Sequence, residues 1–208
     1  MFADRVDAGR RLARELDGTV AAAAVVLGIA RGGVIVGAEI ARVLGAPLDV
    51  VICRKLGAPG NPELGIGAVA PRVRVLDSST ARALGVDESY LEAETARQVA
   101  EIDRRVEAYR RGRAPVDLLG TTAVVVDDGV ATGVTAVAAL RWARAQGAAT
   151  VVFAAPVGPA GIERRLEGEC DRCVVSVTPD DLRAVGQWYE RFDQTTDDEV
   201  RVALQQAR

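Results

Sequence analysis

The sequence predicts an α/β domain with a mainly parallel central sheet flanked by helices. Short apolar runs of strand length alternate with longer segments whose apolar residues recur at helical spacing, which is typical of βαβ units. The first run, residues 22–29, is continuously apolar, as expected of a parallel strand buried on both faces. With 208 residues, the chain can form one well-buried domain but is short for two. We therefore expect a single domain over residues 1–208.

The helices are predicted from the spacing of their apolar residues and from their ends. Val6, Leu12 and Leu16 lie at helical spacing among charged residues. Acidic residues open the longest segment and arginines close it, which complements the helix dipole. Gly147 is the expected stop of the last helix. The predicted helices are residues 3–16, 33–44, 87–112 and 133–146.

The strands are predicted from short runs rich in β-branched residues. The predicted strands are residues 22–29, 47–53, 121–127, 150–155 and 173–177. Residues 54–70 contain many glycines and prolines, too many for a long helix or a central strand. We expect a loop there, and a long loop inside a compact domain is often functional.

Composition excludes several classes of function. The 26 basic and 29 acidic residues give a net charge of −3, which argues against a nucleic-acid or anionic-membrane partner. No apolar run approaches the roughly 20 residues that span a bilayer, and no signal peptide is evident at the N-terminus. We therefore expect a cytoplasmic protein. The chain has no histidine, so Ser-His-Asp and Cys-His catalysis and His-based zinc sites are excluded.

The cysteines leave one redox hypothesis open. Cys170 and Cys173 form a single C-x-x-C pair, whereas a structural zinc site needs four ligands. Cys170 precedes a Val-rich segment, where a small buried thiol is ordinary. We favour buried thiols, and a redox protein that uses this pair is the alternative.

Residues 124–135 combine several features of a phosphate site. An apolar strand ends in Asp127 and Asp128, and a short glycine-containing loop then opens a helix. Ligands of open α/β sheets bind at the carboxyl ends of strands, and free N–H groups at a helix start bind phosphate. Two carboxylates beside such a loop would repel a second phosphate but accept hydrogen bonds from a sugar diol or orient metal-bound water. The combination indicates a ribose phosphate.

This segment resembles the binding loop of type I phosphoribosyltransferases: an apolar run, two acids, a short spacer and Thr-Gly-x-Thr. The resemblance implies that the donor is 5-phosphoribosyl 1-pyrophosphate (PRPP) and that Asp127 and Asp128 contact its ribose hydroxyls. It also implies Mg²⁺ as cofactor and a homodimer. The residues that it assigns to the 5′-phosphate loop are Gly129, Val130, Ala131, Thr132, Gly133, Val134 and Thr135.

The resemblance also assigns a pyrophosphate site to two further segments. Backbone amides around Arg31 would bind pyrophosphate oxygens, with its guanidinium as an additional contact. Lys55 is the only lysine of the chain, and in the family an Arg-Lys pair neutralises pyrophosphate and begins a mobile loop, here 54–70, that closes over the site. The residues assigned to pyrophosphate are Ala30, Arg31, Gly32, Gly33, Arg54 and Lys55.

The C-terminal part resembles the hood of purine-salvage members of the family. This places Arg183, Ala184 and Val185 in the base pocket and Glu190 at a metal-binding position. The hood is expected from the N-terminal helix together with residues 178–208. An ordinary amphipathic terminal helix is the alternative interpretation of this segment.

One residue of the predicted phosphate loop departs from the pattern of hypoxanthine-guanine enzymes and bears on which base accepts the phosphoribosyl group. Hypoxanthine-guanine enzymes have a proton-accepting aspartate where this chain has Ala131, so a 6-oxopurine handled in that way is not expected. By position, Glu63 is a candidate replacement. Nearly the whole chain looks like uncharacterised members of the family, which brings no assigned substrate.

The sequence therefore predicts an Mg²⁺-dependent transferase of nucleotide salvage. It would move the phosphoribosyl group of PRPP to a nitrogen acceptor, expected to be a nucleobase, and release pyrophosphate. The expected catalytic side chains are those of Lys55, Arg31, Asp128 and Glu63. A non-enzymatic regulator that senses PRPP is the alternative, although no basic recognition helix is evident.

Overall fold

The computed structural model describes residues 1–20 and 23–207. The strands are β1 (Ala24–Ile29), β2 (Leu48–Val51), β3 (Arg54–Ala58), β4 (Asn61–Ala70), β5 (Val73–Leu76), β6 (Thr122–Val126), β7 (Thr150–Val157) and β8 (Arg172–Val177). The helices are α1 (Arg5–Leu16), α2 (Gly32–Leu44), α3 (Ser78–Ala83), α4 (Glu88–Arg110), α5 (Val134–Ala145), α6 (Ile162–Arg165) and α7 (Asp197–Gln206), with a short 3₁₀ helix at Val185–Trp188.

Five strands form one parallel sheet in the order β2-β1-β6-β7-β8. This confirms the predicted fold class and all five predicted strands, although residue 22, the first of the predicted 22–29 strand, lies outside the described residues. After β1, the chain adds β2 at one edge of the sheet. The later strands β6, β7 and β8 follow on the other side of β1. The order therefore reverses between β1 and β6, where ligands of such sheets bind.

Alternate residues of the central strands pack against two different layers. Val124 and Val126 of β6 face a core that also contains residues of α1, α2 and α7. Ala123 and Val125 face the opposite core, which is built largely from α5. Because side chains alternate along a strand, this period of two buries β6 on both faces and explains its uninterrupted run of apolar residues.

The prediction of a loop at 54–70 was wrong. This segment contains β3 and β4, an antiparallel hairpin that β5 extends to a second, three-stranded sheet. Two of its glycines allow close approach of backbones: a Cβ at Gly57 would press on Pro62, and one at Gly67 would overlap the carbonyl of Val75. The pairing also shifts register on either side of Gly57. Glycine therefore serves strand contact here, and that role is not visible in composition.

The two ends of the chain meet over one end of the parallel sheet. We call residues 178–196 the hood. Phe2 bridges to Tyr189 and exchanges backbone hydrogen bonds with the neighbours of that residue. Helix α1 packs beside α2 on the main sheet and, through Ala8, joins the apolar cluster of the hood around Tyr189, whereas α7 packs on α2 and α4. Arg208, the end of the expected hood, lies outside the described residues.

Candidate functional site

A cleft of about 810 Å³ opens at the carboxyl ends of β1 and β6. It lies at the reversal of strand order, between the starts of α2 and α5. The cleft is lined by residues of both strand ends, of the β3–β4 hairpin, of α4, of α1 and of the hood. Segments that are distant in sequence therefore converge where the sequence predicted a ligand.

Asp127 and Asp128 lie on the floor of this cleft, directly after β6. Burial, and then the neighbouring charge of Asp128, raise the pKa of Asp127 well above its usual value, whereas Lys55 opposes the shift. Asp128 donates its N–H to Oδ1 of Asp127 at 2.9 Å. The pair thus combines one carboxyl group whose pKa is raised by burial with a second that is ion-paired with Arg5.

The predicted phosphate loop leads from these acids into α5. Gly133 is the N-cap of α5 and has φ 77°, a left-handed conformation that suits glycine. Within the described part of the chain, the N–H groups of residues 131–135 find no hydrogen-bond acceptor. Of the predicted phosphate-loop residues 129–135, only Thr135 lines the cleft, and Ala131 and Thr132 are exposed. Unpaired donors at the start of a helix form an anion site.

The second predicted loop faces the first across the cleft. The peptide bond between Ala30 and Arg31 is cis, and the N–H groups of residues 31–33 make no hydrogen bond among the residues that the structure describes. A Cβ at Gly32 would overlap the carboxylate of Asp128, and one at Gly33 would overlap the carbonyl of Val126. Both glycines are therefore required by close approach to the end of β6.

The Arg31 side chain has a partner of its own. Its Nη1 atom lies 3.7 Å from Asp197 Oδ1, at the start of α7. Tyr109 also donates a hydrogen bond to that carboxylate oxygen, at 2.7 Å. Arg31 lines the cleft, and the pyrophosphate contacts expected of its backbone N–H and of its guanidinium both stay predictions.

The hairpin brings three predicted residues to one wall of the cleft: Arg54, Lys55 and Glu63. Lys55 and Glu63 are exposed. The root of the hairpin is fixed to α4, because Arg54 Nε bonds Gln98 Oε1 at 2.9 Å and the Tyr90 hydroxyl bonds the Gly57 carbonyl at 2.8 Å.

Sequence reasoning missed the contribution of α4 to this wall. Glu94 is 8% exposed and accepts two hydrogen bonds from Arg97 and one from Gln98, and all three residues line the cleft. Burial would raise the pKa of Glu94, but these bonds hold it below its usual value. A signal was present: Glu94 and Gln98 share the buried face of α4 with Leu91 and Ile102 at helical spacing.

The hood contributes fewer of its predicted residues. Val185 lines the cleft, together with the unpredicted Phe192, but Arg183, Ala184 and Glu190 do not. The Tyr189 side chain points inward, and its hydroxyl donates to the Asp128 carbonyl at 2.6 Å. Because Tyr189 has extended backbone angles, its neighbour Glu190 faces solvent. The structure thus places Glu190 away from the expected metal position.

Arg5 is a second residue that sequence reasoning missed. It is the first residue of α1, and its Nε atom lies 2.7 Å from Asp128 Oδ2 across 123 sequence positions. No local pattern signals such a contact.

The chain itself offers no metal cage in the part that the structure describes. No three His, Cys, Asp or Glu side chains are grouped to hold an ion among these residues. Two adjacent carboxylates beside anion-binding amides do suit Mg²⁺, which keeps several waters and binds largely through ligand phosphates.

Fold and site together define a class: an α/β protein with a cleft at the strand-order reversal of a parallel sheet, where unpaired amides and two acids meet. A family model described as the phosphoribosyl transferase domain matches residues 3–189. The chain belongs to this family, as its resemblance to type I phosphoribosyltransferases predicted.

Two kinds of relatives support the assignment. The chain is 49% identical over 208 residues to Mycobacterium tuberculosis proteins, from strains H37Rv and CDC 1551, whose names assign them provisionally to the phosphoribosyl transferases. The match covers 100% of this chain and 47% of theirs, so the chain spans about half the length of these relatives. It is also similar to the crystal structure of TT1426 from Thermus thermophilus, with a TM-score of 0.81 and 44% identity over 98% of this chain and 97% of that chain.

No helix in the described ranges, 1–20 and 23–207, is long and apolar enough to cross a membrane.

Proposed function

We propose that this protein transfers the 5-phosphoribosyl group of PRPP to a nitrogen acceptor and releases pyrophosphate. One observation carries the proposal. Asp127 and Asp128 line one cleft of the described chain together with Arg31, Gly32 and Thr135, which belong to two loops of unpaired amides, residues 31–33 and 131–135. Two anion sites on either side of diol acceptors match a ribose that bears phosphate at one end and pyrophosphate at the other.

The residues would divide the donor among them. The amides of the 131–135 loop, with the hydroxyls of Thr132 and Thr135, bind the 5′-phosphate. Asp127 and Asp128 accept hydrogen bonds from the ribose hydroxyls. The amides of residues 31–33 bind the pyrophosphate, and Lys55 on the facing hairpin balances its charge.

The reaction then follows from charge and geometry. The bond between the anomeric carbon and a pyrophosphate oxygen breaks through an oxocarbenium-like transition state, the acceptor nitrogen attacks the opposite face, and its N–H proton passes to Glu63 or to water. The leaving group gains negative charge as the bond breaks, and positioned amides and the Lys55 ammonium stabilise that charge without reorganisation. Mg²⁺ would supply further charge neutralisation on the pyrophosphate, with Asp127 and Asp128 as acceptors for its bound water.

The acceptor would enter between the hairpin, α4 and the hood. Val185 and Phe192 offer apolar surface there, and Glu63 is the exposed acid on the hairpin side. A nucleobase fits such a site. Ala131 argues against the proton transfer of hypoxanthine-guanine enzymes. A cytoplasmic location, a homodimer and a role in nucleotide salvage belong to the same proposal.

Pyrophosphate release tests this function. Purified full chain is mixed with PRPP and Mg²⁺, and purines and pyrimidines are screened singly as acceptors. We expect release with one class of base, and a loss of about 10- to 100-fold for Asp128→Asn or Lys55→Ala, the usual effect of a charged hydrogen bond. Asp103→Asn, an exposed acid on α4 outside the cleft, is the control. PRPP binding without release with any base would instead favour a sensor.

A further inference from the structure

The Arg5 guanidinium is held on three sides at the edge of the cleft. Its Nε atom pairs with Asp128 Oδ2 at 2.7 Å, and its Nη1 atom donates to the Asp193 carbonyl at 2.7 Å. Its Cζ atom lies 3.9 Å from the centroid of the Phe192 ring. The Arg5 side chain is 13% exposed and that of Asp128 is 17% exposed. An ion pair, a carbonyl and a ring face together fix the guanidinium in one place.

Asp128 is fixed by the same arrangement. Gly32 closes the other side of Oδ2, because a Cβ there would overlap this oxygen. The Asp128 backbone is held through its N–H by Asp127, at 2.9 Å, and through its carbonyl by the Tyr189 hydroxyl, at 2.6 Å. Arg5 occupies Oδ2, so Oδ1 is the other oxygen of this carboxylate, and the Asp127 carboxyl lies within hydrogen-bond reach of the Asp128 side chain.

Arg5 is not needed merely to hold the N-terminal segment against the hood, because other contacts already do so. The same two segments are already joined by Phe2, which exchanges backbone hydrogen bonds with Trp188 and Glu190. A second ion pair also joins them, between Arg191 Nη2 and Asp4 Oδ2 at 2.6 Å. Tyr189 reaches the backbone carbonyl of Asp128 from that junction, and within the residues that the structure describes only Arg5 reaches its carboxylate.

We propose that Arg5 is a positioning residue for sugar selectivity. By occupying Oδ2, it aims Oδ1 of Asp128 at the ribose diol and so makes the site discriminate ribose from 2-deoxyribose. A site built to bind a hydroxyl rejects an analogue that lacks it, because its polar group is then left unpaired. This selectivity requires a fixed acceptor. The inference rests on the proposed function, since it assumes that the floor binds a ribose phosphate.

Calorimetric titration of the full chain with ribose 5-phosphate and 2-deoxyribose 5-phosphate tests the proposal. We expect the wild type to prefer ribose 5-phosphate about tenfold or more. Arg5→Gln should reduce the ratio to about twofold, while affinity for the deoxy sugar changes less than about threefold. Arg5→Lys keeps the charge but lacks the planar guanidinium, so its ratio should fall between those of the wild type and Arg5→Gln.

Arg191→Gln is the matched control, because it removes the neighbouring ion pair without touching Asp128, and its ratio should equal that of the wild type. If Arg5→Lys prefers ribose 5-phosphate over 2-deoxyribose 5-phosphate as strongly as the wild type does, the proposal is overturned. This test holds even where Arg5→Gln fails to fold. An equal loss of selectivity in Arg191→Gln and Arg5→Gln also overturns it, because the effect is then mechanical. Failure of the proposed function has a different signature: a wild type that binds neither sugar phosphate.

Discussion

The floor and the walls of the cleft are built in different ways. The floor consists of residues 28–33 and 127–135, two short stretches that each run from a strand into a helix. The walls come from the hairpin, α4, the start of α1 and the hood, which meet only through tertiary packing. Under the proposed function, most donor contacts come from locally encoded structure, with Lys55 and Arg5 added from the walls, and the acceptor contacts come from long-range structure.

This difference also explains how function is divided in the site. Backbone amides and glycines dominate the floor, so its chemistry depends on chain geometry and tolerates little change. Side chains dominate the walls, and they can be replaced without altering the strands. We therefore expect proteins of this fold to share the donor site and to differ in the acceptor site, because a fold does not by itself determine function.

The largest effect should come from crowding the floor. In Gly33→Ala, the added Cβ would overlap the Val126 carbonyl just before the two acids. We expect the free energy of unfolding to fall by about 3 kcal/mol, and ribose 5-phosphate binding to be lost. Gly65→Ala, on the hairpin wall, is the control because nothing lies within 4 Å of its added Cβ. Urea unfolding gives the free energy of unfolding of both variants. Equal values would contradict the expected difference between the floor and the hairpin wall.

A smaller effect is expected from the α4 wall. Glu94→Ala leaves Arg97 and Gln98 without their shared acceptor. The predicted loss of stability is about 2 kcal/mol, discounted because the Arg97 side chain is 66% exposed. The KM for the acceptor should rise while donor affinity stays within about twofold. Glu92→Ala changes an exposed acid of the same helix and serves as control. If Glu94→Ala loses affinity for the donor and Glu92→Ala does not, the wall contributes to donor binding and the two regions do not act separately.

Removing a charge from the floor should stabilise the protein. Because folding raises the pKa of Asp127, its contribution to stability is present at low pH and is lost as pH rises toward the folded pKa. Asp127→Asn cannot ionise, so its advantage over the wild type should grow above roughly pH 4 and reach about 1 kcal/mol or more near neutrality. Thermal unfolding across pH 4 to 8 measures this gain. Asp103→Asn should be neutral within about 0.5 kcal/mol, and a wild type as stable as Asp127→Asn at pH 8 would refute the predicted burial effect.

The smallest effect is expected at the cysteine pair. Hydrogen bonding with Cys173 lowers the pKa of Cys170, yet neither thiol lines the cleft. Cys170→Ser with Cys173→Ser should leave pyrophosphate release within about twofold of the wild type, since the pair lies outside the cleft lining. A large loss of activity on alkylation of the wild type, absent from the double variant, would revive the redox hypothesis.

The same contrast explains what the sequence could predict. The floor was predicted because its residues are contiguous and their order, strand, acids, glycine and helix, has a direct chemical meaning. The hairpin at 54–70 was missed because Gly57 and Gly67 serve close strand approach rather than loop flexibility. Arg5 and Phe192 were missed because their contact depends on how the two chain ends meet, which no local pattern records.

Binding of PRPP tests the central claim most directly. Calorimetric titration of the wild type with PRPP in the presence of Mg²⁺ should show one site per chain. Asp128→Asn should bind at least about tenfold more weakly, and Glu94→Gln, on the wall, should bind as the wild type does. Equal binding by wild type and Asp128→Asn would contradict the assignment of the floor as the donor site.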